Sequence, residues 1–222
     1  YEGGLTEVYP WDLASISSQL SSSELASTLK MDWTGFGNMQ AELNLALDKK
    51  KINKGHLGAK FNNLEPLETL LPFTDNVKGQ FNAELNLQGN FEKPQLSGDV
   101  KLSEASARIP KLGLSLDKIS VEIFADNSEK IDLKAVAVSG DGDLDLQGAL
   151  LNPLQNDWHL TADLGGKNFQ IINLLTMKAN INPAFTLSAN SQLIKLTGEA
   201  EVPKMRANIK TLPQSAVQVS ED

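Results

Sequence analysis

The chain has 222 residues, with 20 Lys plus Arg, 28 Asp plus Glu and a formal net charge of −8. This length corresponds to one large domain or two small ones. Hydrophobic residues make up 41% and charged residues 22%, which is ordinary globular composition rather than that of a disordered tail. The acidic balance, with Arg108 and Arg206 the only arginines, argues against a nucleic-acid partner, because phosphate backbones require clustered positive charge.

The absence of cysteine excludes disulfides, zinc–thiolate sites and cysteine nucleophiles. No apolar run approaches the roughly 18 residues of a membrane-spanning helix, and no charged-then-apolar leader opens the sequence. We therefore expect a chain that neither spans a membrane nor carries a membrane anchor of its own.

Alternation of apolar and polar residues with a period of two dominates the sequence and predicts strands with one apolar face. In chain order the alternating apolar positions are Leu43, Leu45, Leu47; Leu57, Ala59, Phe61; Phe81, Ala83, Leu85, Leu87; Ile119, Val121, Ile123, Ala125; Ile131, Leu133, Ala135; Leu144, Leu146; Leu160, Ala162, Leu164; Phe185, Leu187, Ala189; Ile194, Leu196; and Met205, Ala207, Ile209. Turn-forming clusters separate these runs. About a dozen short strands at this spacing predict an antiparallel all-β architecture.

Helical spacing is confined to two short segments, residues 64–71 and residues 168–177. Both are too short to cover a large sheet, so we expect one or two short helices that act as plugs or end caps. For domain organisation, residues 1–63 are predicted to be alternating strands of the same sheet, and residues 64–222 a second unit that starts with the short helix near 64–71.

A glycine after a strand, followed five residues later by a proline, recurs three times in the sequence. The pairs are Gly89 and Pro94, Gly148 and Pro153, and Gly198 and Pro203. Identical spacing predicts one structural unit that is used repeatedly and that grows in one direction.

No constellation of residues predicts catalysis, because nucleophile elbows, zinc-binding helices and phosphate loops are all missing. His56 and His159 lie about a hundred positions apart and are predicted to be surface or strand-face residues. Asp141, Asp143 and Asp145 have the carboxylates that a hard cation prefers, but they alternate like the outer face of a strand. We expect a solvated strand edge there, with no metal, no cofactor and no enzymatic activity.

The apolar face of such a sheet must be hidden from water, and the two short helices cannot cover it. One interpretation is a closed sandwich or barrel, with the face packed on itself. The other is a sheet folded into an open U-shaped trough lined by Leu, Ile and Val. Scarce aromatics, 6% of residues, favour the trough, because bulky rings tend to fill a lumen. Independently of that choice, Trp11 and Trp33 are expected to anchor a core rather than to form an exposed aromatic contact for a partner.

Three stretches between Gly89 and Gly148 carry a more specific pattern: Gly-Asn-Phe-Glu-Lys-Pro-Gln-Leu-Ser-Gly, Ala-Ser-Ala-Arg-Ile-Pro-Lys-Leu-Gly and Val-Ser-Gly-Asp-Gly-Asp-Leu-Asp-Leu-Gln-Gly. With the tail from Gly198 to Asp222, they resemble the C-terminal periplasmic region of the TamB family, within the AsmA-like superfamily. The resemblance covers about residues 64–222. It implies a β-taco, an open trough with a hydrophobic interior, in the periplasm of a Gram-negative envelope, on a protein whose inner-membrane anchor lies outside this piece.

The resemblance also implies partners. They are phospholipid acyl chains in transit between the inner and outer membranes, and a TamA-like outer-membrane barrel contacted through the full-length protein. The alternative cargo is unfolded outer-membrane proteins, which such an assembly factor would receive as β-strands. The predicted lining of the lipid groove is Leu85, Leu87, Val100, Leu102, Ile119, Val121, Ile123, Ile131, Leu133, Leu144, Leu146, Leu160, Leu164, Leu187 and Leu196.

Overall fold

A computed structural model describes residues 13–126 and 129–208, and these form one antiparallel sheet of thirteen strands. The predicted anchor Trp11 and the end of the tail lie outside the described residues. The strands are β1 (Leu13–Leu20), β2 (Glu24–Trp33), β3 (Gly37–Ala46), β4 (Lys51–Phe61), β5 (Asp75–Asn90), β6 (Pro94–Ile109), β7 (Leu114–Asp126), β8 (Lys130–Ser139), β9 (Gly142–Leu151), β10 (His159–Lys167), β11 (Phe169–Asn173), β12 (Met177–Asn190) and β13 (Ile194–Ala207).

Each strand from β1 to β10 pairs with the next one along the chain, as short connections between alternating strands dictate. Strand β12 then pairs with β10 and β11 on one side and with β13 on the other. Within the described chain β13 does not pair back onto β1, so the sheet is curled but open. The prediction of an all-β open trough is confirmed, and the alternative of a closed sandwich or barrel is wrong.

The two long rims of the trough differ. The hairpin rim carries the β1–β2, β3–β4, β5–β6, β7–β8, β9–β10 and β12–β13 connections. The opposite rim, called the capped rim below, carries two short 3-10 helices, Glu65–Leu70 and Pro110–Leu112, together with β11. The capped rim therefore combines the β2–β3 and β8–β9 turns with these additional elements, which the hairpin rim lacks among the described residues.

Bulges near the capped rim bend the strands. Asn76, Glu104 and Lys118 have left-handed backbones with φ of 52°, 52° and 50°, and each lies where the register between neighbouring strands shifts. An extra residue in one strand bends it and increases its twist. Three bulges on the consecutive strands β5, β6 and β7 thus contribute to the curl of the sheet.

The helix predicted over residues 64–71 is present as the first 3-10 helix. The prediction of a helix over residues 168–177 is wrong. Residues there form β11 instead, because their backbone groups pair with β12. No α-helix occurs in the part of the chain that the structure describes.

Strands β10 and β11 are one strand interrupted at Asn168, which has a φ of 52°. The backbone N–H of Asn168 donates to Asn182 Oδ1 at 2.7 Å, and Asn180 Nδ2 donates to the Asn168 carbonyl at 2.8 Å. Beyond this kink β11 contacts β7, β8, β9 and the second 3-10 helix. Two asparagines of β12 therefore hold β11 across the capped rim.

The close approach at this kink requires glycine at position 142, because an added Cβ would overlap the Asn168 carbonyl oxygen. We expect Gly142→Ala to lower the free energy of unfolding by about 1–3 kcal/mol, the typical penalty for overpacking. Urea-induced unfolding measures this change in the free energy of unfolding. The matched control is Gly165→Ala, where the nearest atom is the flexible Asp145 side chain at 3.2 Å. Equal effects of the two substitutions would show that the kink is not closely packed.

The three Gly–Pro pairs do not occupy equivalent positions, so the prediction of one repeated structural unit is wrong. Gly89 lies at the end of β5 and Pro94 opens β6, whereas Gly198 and Pro203 both lie inside β13. Gly148 lies within β9 and needs no positive φ; it accommodates the close approach of Ala162. Pairing with neighbouring strands, rather than the local motif, sets where each strand turns.

Candidate functional site

One face of the sheet carries continuous rows of apolar residues. Residues directly opposed in an antiparallel pair project to the same face, so the register traces each row from strand to strand. The central row is Ala14, Met31, Met39, Ala59, Ala83, Val100, Ile123, Leu133, Gly148, Ala162, Leu187 and Leu196. It crosses twelve strands without a single polar side chain.

Two further rows flank the central one and are equally apolar. Toward the capped rim the row is Trp33, Gly37, Phe61, Phe81, Leu102, Val121, Ala135, Leu146, Leu164, Phe185 and Gly198. Toward the hairpin rim it is Ile16, Leu29, Ala41, Leu57, Leu85, Gly98, Ala125, Ile131, Leu150, Leu160, Ala189 and Ile194. The three rows together are called the apolar face.

Twelve of the fifteen predicted lining residues belong to these rows. The other three, Leu87, Ile119 and Leu144, are opposed by apolar or glycine neighbours. Fourteen of the fifteen are half-buried, and Leu196, on the terminal strand β13, is 63% exposed. The register therefore brings the predicted residues together on one face of the sheet.

Small residues form the floor of the apolar face. Ala83, Ala125 and Ala162 are only 3–4% exposed, because larger neighbours in the same rows cover them. Those larger neighbours stay half-buried, and no second layer of the described chain covers them. The face thus retains apolar surface that the polypeptide itself only partly shields.

Near the capped rim the trough is filled by its own side chains. Leu64, from the segment before the first 3-10 helix, is buried with Phe61 and Val77. The ring centroids of Trp33 and Phe61 lie 5.1 Å apart, and those of Phe61 and Phe81 lie 6.4 Å apart. This group, called the aromatic cluster below, forms a packed core at β2 to β5 and leaves no free groove there.

Closer to the hairpin rim the same strands leave a cavity of about 260 Å³. Its walls are mainly leucines, with Gly55, Glu42, His56 and Asn86 completing the boundary; the leucines are Leu43, Leu57, Leu85, Leu87 and Leu96. The sequence prediction included only Leu85 and Leu87. Alternation had already placed Leu43 and Leu57 on strands, whereas Leu96 becomes recognisable only through its pairing with Leu87.

The opposite face is polar, and opposite charges are interleaved along it. Lys101 Nζ lies 3.1 Å from Glu122 Oε1 across the β6–β7 pair. The hydrogen bond from the Lys54 ammonium, with its positive charge, holds the pKa of the exposed Glu42 carboxyl below its usual value. These contacts are exposed ion pairs on the face opposite the apolar one.

The residues considered for catalysis or metal binding lie on or near this polar face. His56 Nδ1 hydrogen-bonds Asn86 Oδ1 at 3.1 Å, and its Nε2 lies 3.6 Å from Glu84 Oε2. Asp143 and Asp145 alternate with the groove residue Leu144 and so face away from the groove. Among the residues described, no group of three or more His, Asp or Glu side chains is placed to hold a metal ion.

Among the described residues, no helix combines the length and the hydropathy needed to cross a bilayer.

The chain forms a single open, curled antiparallel sheet with one continuous apolar face, which is the architecture of a β-taco trough. Comparison with known families is specific: the family description "TamB, N-terminal domain" matches residues 4–102, and "TamB C-terminal domain" matches residues 129–222. The chain belongs to the TamB family. The match over residues 4–102 extends the similarity to the first part of the chain, which the sequence analysis had not included.

A curated relative supports this assignment. The chain is 27% identical over 177 residues to the translocation and assembly module subunit TamB of Haemophilus influenzae, and the match covers 79% of this chain and 14% of the relative. The chain therefore spans about one seventh of the length of that relative. No solved structure matches. The family is one of assembly-module components rather than of enzymes.

Proposed function

We propose that the chain is a periplasmic segment of an envelope-spanning, inner-membrane-anchored protein, and that its apolar face shields lipid acyl chains during transport between the inner and outer membranes. The observation that carries this proposal is the apolar face, which crosses the sheet without a polar side chain and stays half-buried although no second layer of the described residues covers it. In the full-length protein, the partner at the outer membrane is a TamA-like barrel.

Each methylene transferred into water costs about 0.8 kcal/mol, so a chain of about sixteen carbons costs roughly 12 kcal/mol when it crosses unaided. Contact with the apolar face removes much of that cost, while a polar headgroup stays in water at the open side. Twelve strands at about 4.8 Å spacing give a groove roughly 50–60 Å long. The cavity of five leucines is the part of this groove best shaped for hydrocarbon.

The second candidate is a chaperone-like role, in which an outer-membrane protein strand pairs with an edge of the sheet. Strand β1 is exposed at all eight residues and β13 at all fourteen. Within the described chain each pairs on one side only. Both therefore offer unpaired backbone groups, the feature that β-augmentation requires.

Photocrosslinking distinguishes the two candidates. We expect a benzophenone amino acid at Leu85 or Leu133, on the apolar face, to form lipid adducts in cells. The same group at the neighbouring outward positions Glu84 or Lys134 is the matched control and should form none. Mass spectrometry identifies the adducts. Peptide adducts at the inward positions would favour the chaperone-like role, and equal labelling of both faces would contradict a groove function.

A further inference from the structure

The outer face at the tips of β11, β12 and β13 holds a pocket that the proposed function does not use. It has a volume of about 270 Å³ and is lined by Gln170, Lys178, Asn180, Lys204 and Arg206. The register places Lys178 opposite Arg206, and Asn180 between Gln170 and Lys204. These residues belong to the capped rim, since β12 begins at Met177 and β13 ends at Ala207. We call this cluster the basic pocket.

The basic pocket combines three cations with no carboxylate. Lys178 and Arg206 are like charges in directly opposed positions, an arrangement that destabilises a sheet. Elsewhere on this face Lys101 is opposed to Glu122, whereas Glu84 and Asp99 are opposed carboxylates. An anion bound between Lys178 and Arg206 would relieve their repulsion in a chain of net charge −8.

No carboxylate of the described chain fills this role. The residues that line the pocket include none, and none of its three cations forms an ion pair with another described residue. The nearby Glu201, on the same strand as two of the cations, accepts a hydrogen bond from Asn182 Nδ2 at 2.7 Å. Its carboxylate is thereby directed to β12.

The floor of the basic pocket is fixed before any ligand arrives. Asn180 is 8% exposed, and its Nδ2 donates to the Asn168 carbonyl at 2.8 Å. The same hydrogen bonds hold the kink that carries Gln170 beside it. These hydrogen bonds position the backbone of β12 that carries Lys178 and Asn180.

We propose that the basic pocket binds a phosphate group. A guanidinium can bind phosphate oxygens in a bidentate manner, and two ammonium groups complete the neutralisation. At about 30 Å³ per water, the pocket volume equals roughly nine waters, enough for a phosphate ester and part of its hydration. A phospholipid headgroup at the rim of the groove and free phosphate share this chemistry. The headgroup assignment rests on the proposed function, whereas the phosphate site does not.

Calorimetry with the purified chain tests the proposal, using inorganic phosphate and dihexanoyl-phosphatidylglycerol below its micellar concentration as probes. We expect the lipid to bind, to bind more weakly at high salt, and to lose about ten- to a hundredfold in affinity in the triple variant Lys178→Gln, Lys204→Gln, Arg206→Gln. The matched control is Lys60→Gln, Lys101→Gln, Lys134→Gln. Each variant removes three positive charges, so the formal net charge changes from −8 to −11 (−8 − 3) in both. The control residues lie on the part of the outer face where positive and negative charges alternate.

Each outcome is decisive. If both probes bind equally well and both lose affinity in the Lys178, Lys204 and Arg206 variant, the result supports the site with free phosphate as its ligand. Binding by neither probe, or the same loss in both variants, overturns the proposal. The melting temperature provides an independent check: removal of the opposed like charges should leave it unchanged or slightly raised, whereas a purely structural cluster would lower it. A phosphate-free alkyl probe reports on the groove alone, so failure of the basic pocket and failure of the proposed function are distinguishable.

Discussion

Ile123→Arg is expected to abolish binding of an acyl-chain probe while the sheet stays folded. Ile123 is half-buried in the central row, opposed by Val100 and Leu133. In an open groove the arginine stem can lie along neighbouring apolar residues while its guanidinium reaches water. The loss of stability should then be about 1–2 kcal/mol, or about 2–8 °C in melting temperature for a chain of this size. Fluorescence of a bound alkyl probe and thermal melting measure the two effects.

The control for this substitution is Phe124→Arg, one residue further along. Phe124 is 54% exposed on the outer face, opposed by Asp99 and Asp132, so an arginine there gains carboxylate neighbours. We expect probe binding to be retained. If Ile123→Arg instead unfolded the chain, the cost would be that of a charge enclosed in a sealed core, above about 4 kcal/mol. That result would contradict the open groove.

Phe61→Ala is expected to have the largest effect on stability, about 3–5 kcal/mol, because it removes the centre of the aromatic cluster. Phe61 is 8% exposed and packs between Trp33 and Phe81. Its loss leaves a cavity that neither Leu64 nor the neighbouring strands can fill without moving. Chemical denaturation with urea provides the measurement.

The matched control is Phe73→Ala, because Phe73 is 64% exposed in the connection that follows β4 and leads to β5. We expect an effect within about 0.5 kcal/mol, as for most surface substitutions, apart from the loss of a cation–π contact with Lys111. Similar losses for both variants would mean that the aromatic cluster does not anchor the sheet.

The sequence predicted the strands well because alternation is a local signal that survives in each segment separately. It located Ile123, Leu133 and Leu146 on the apolar side, and the register then aligned them in rows. The segment 168–177 was misassigned because Phe169, Ile172 and Leu175 have helical spacing, whereas long-range pairing with β12 decides the backbone. Propensity yields to tertiary pairing in such short segments.

The scarcity of aromatic residues correctly indicated an open trough, but not every part of the trough is free of rings. Trp33, Phe61 and Phe81 meet at one place because the registers of the consecutive strands β2 to β5 align them. A pattern in one sequence does not show that these three side chains are in contact. The basic pocket escaped notice for the same reason, since Lys178 and Arg206 are opposed only through the β12–β13 register.

The absence of polar side chains from three successive rows has a consequence for anything that travels along the trough. A hydrocarbon tail that advances by one strand, about 4.8 Å, exchanges one set of alkyl contacts for a nearly identical set. Beyond the cavity of five leucines on β3 to β6, the free-energy profile along the axis is then almost level. A hydrocarbon tail would then move equally fast in both directions. A net flow would require a process that acts at one of the two ends of the trough.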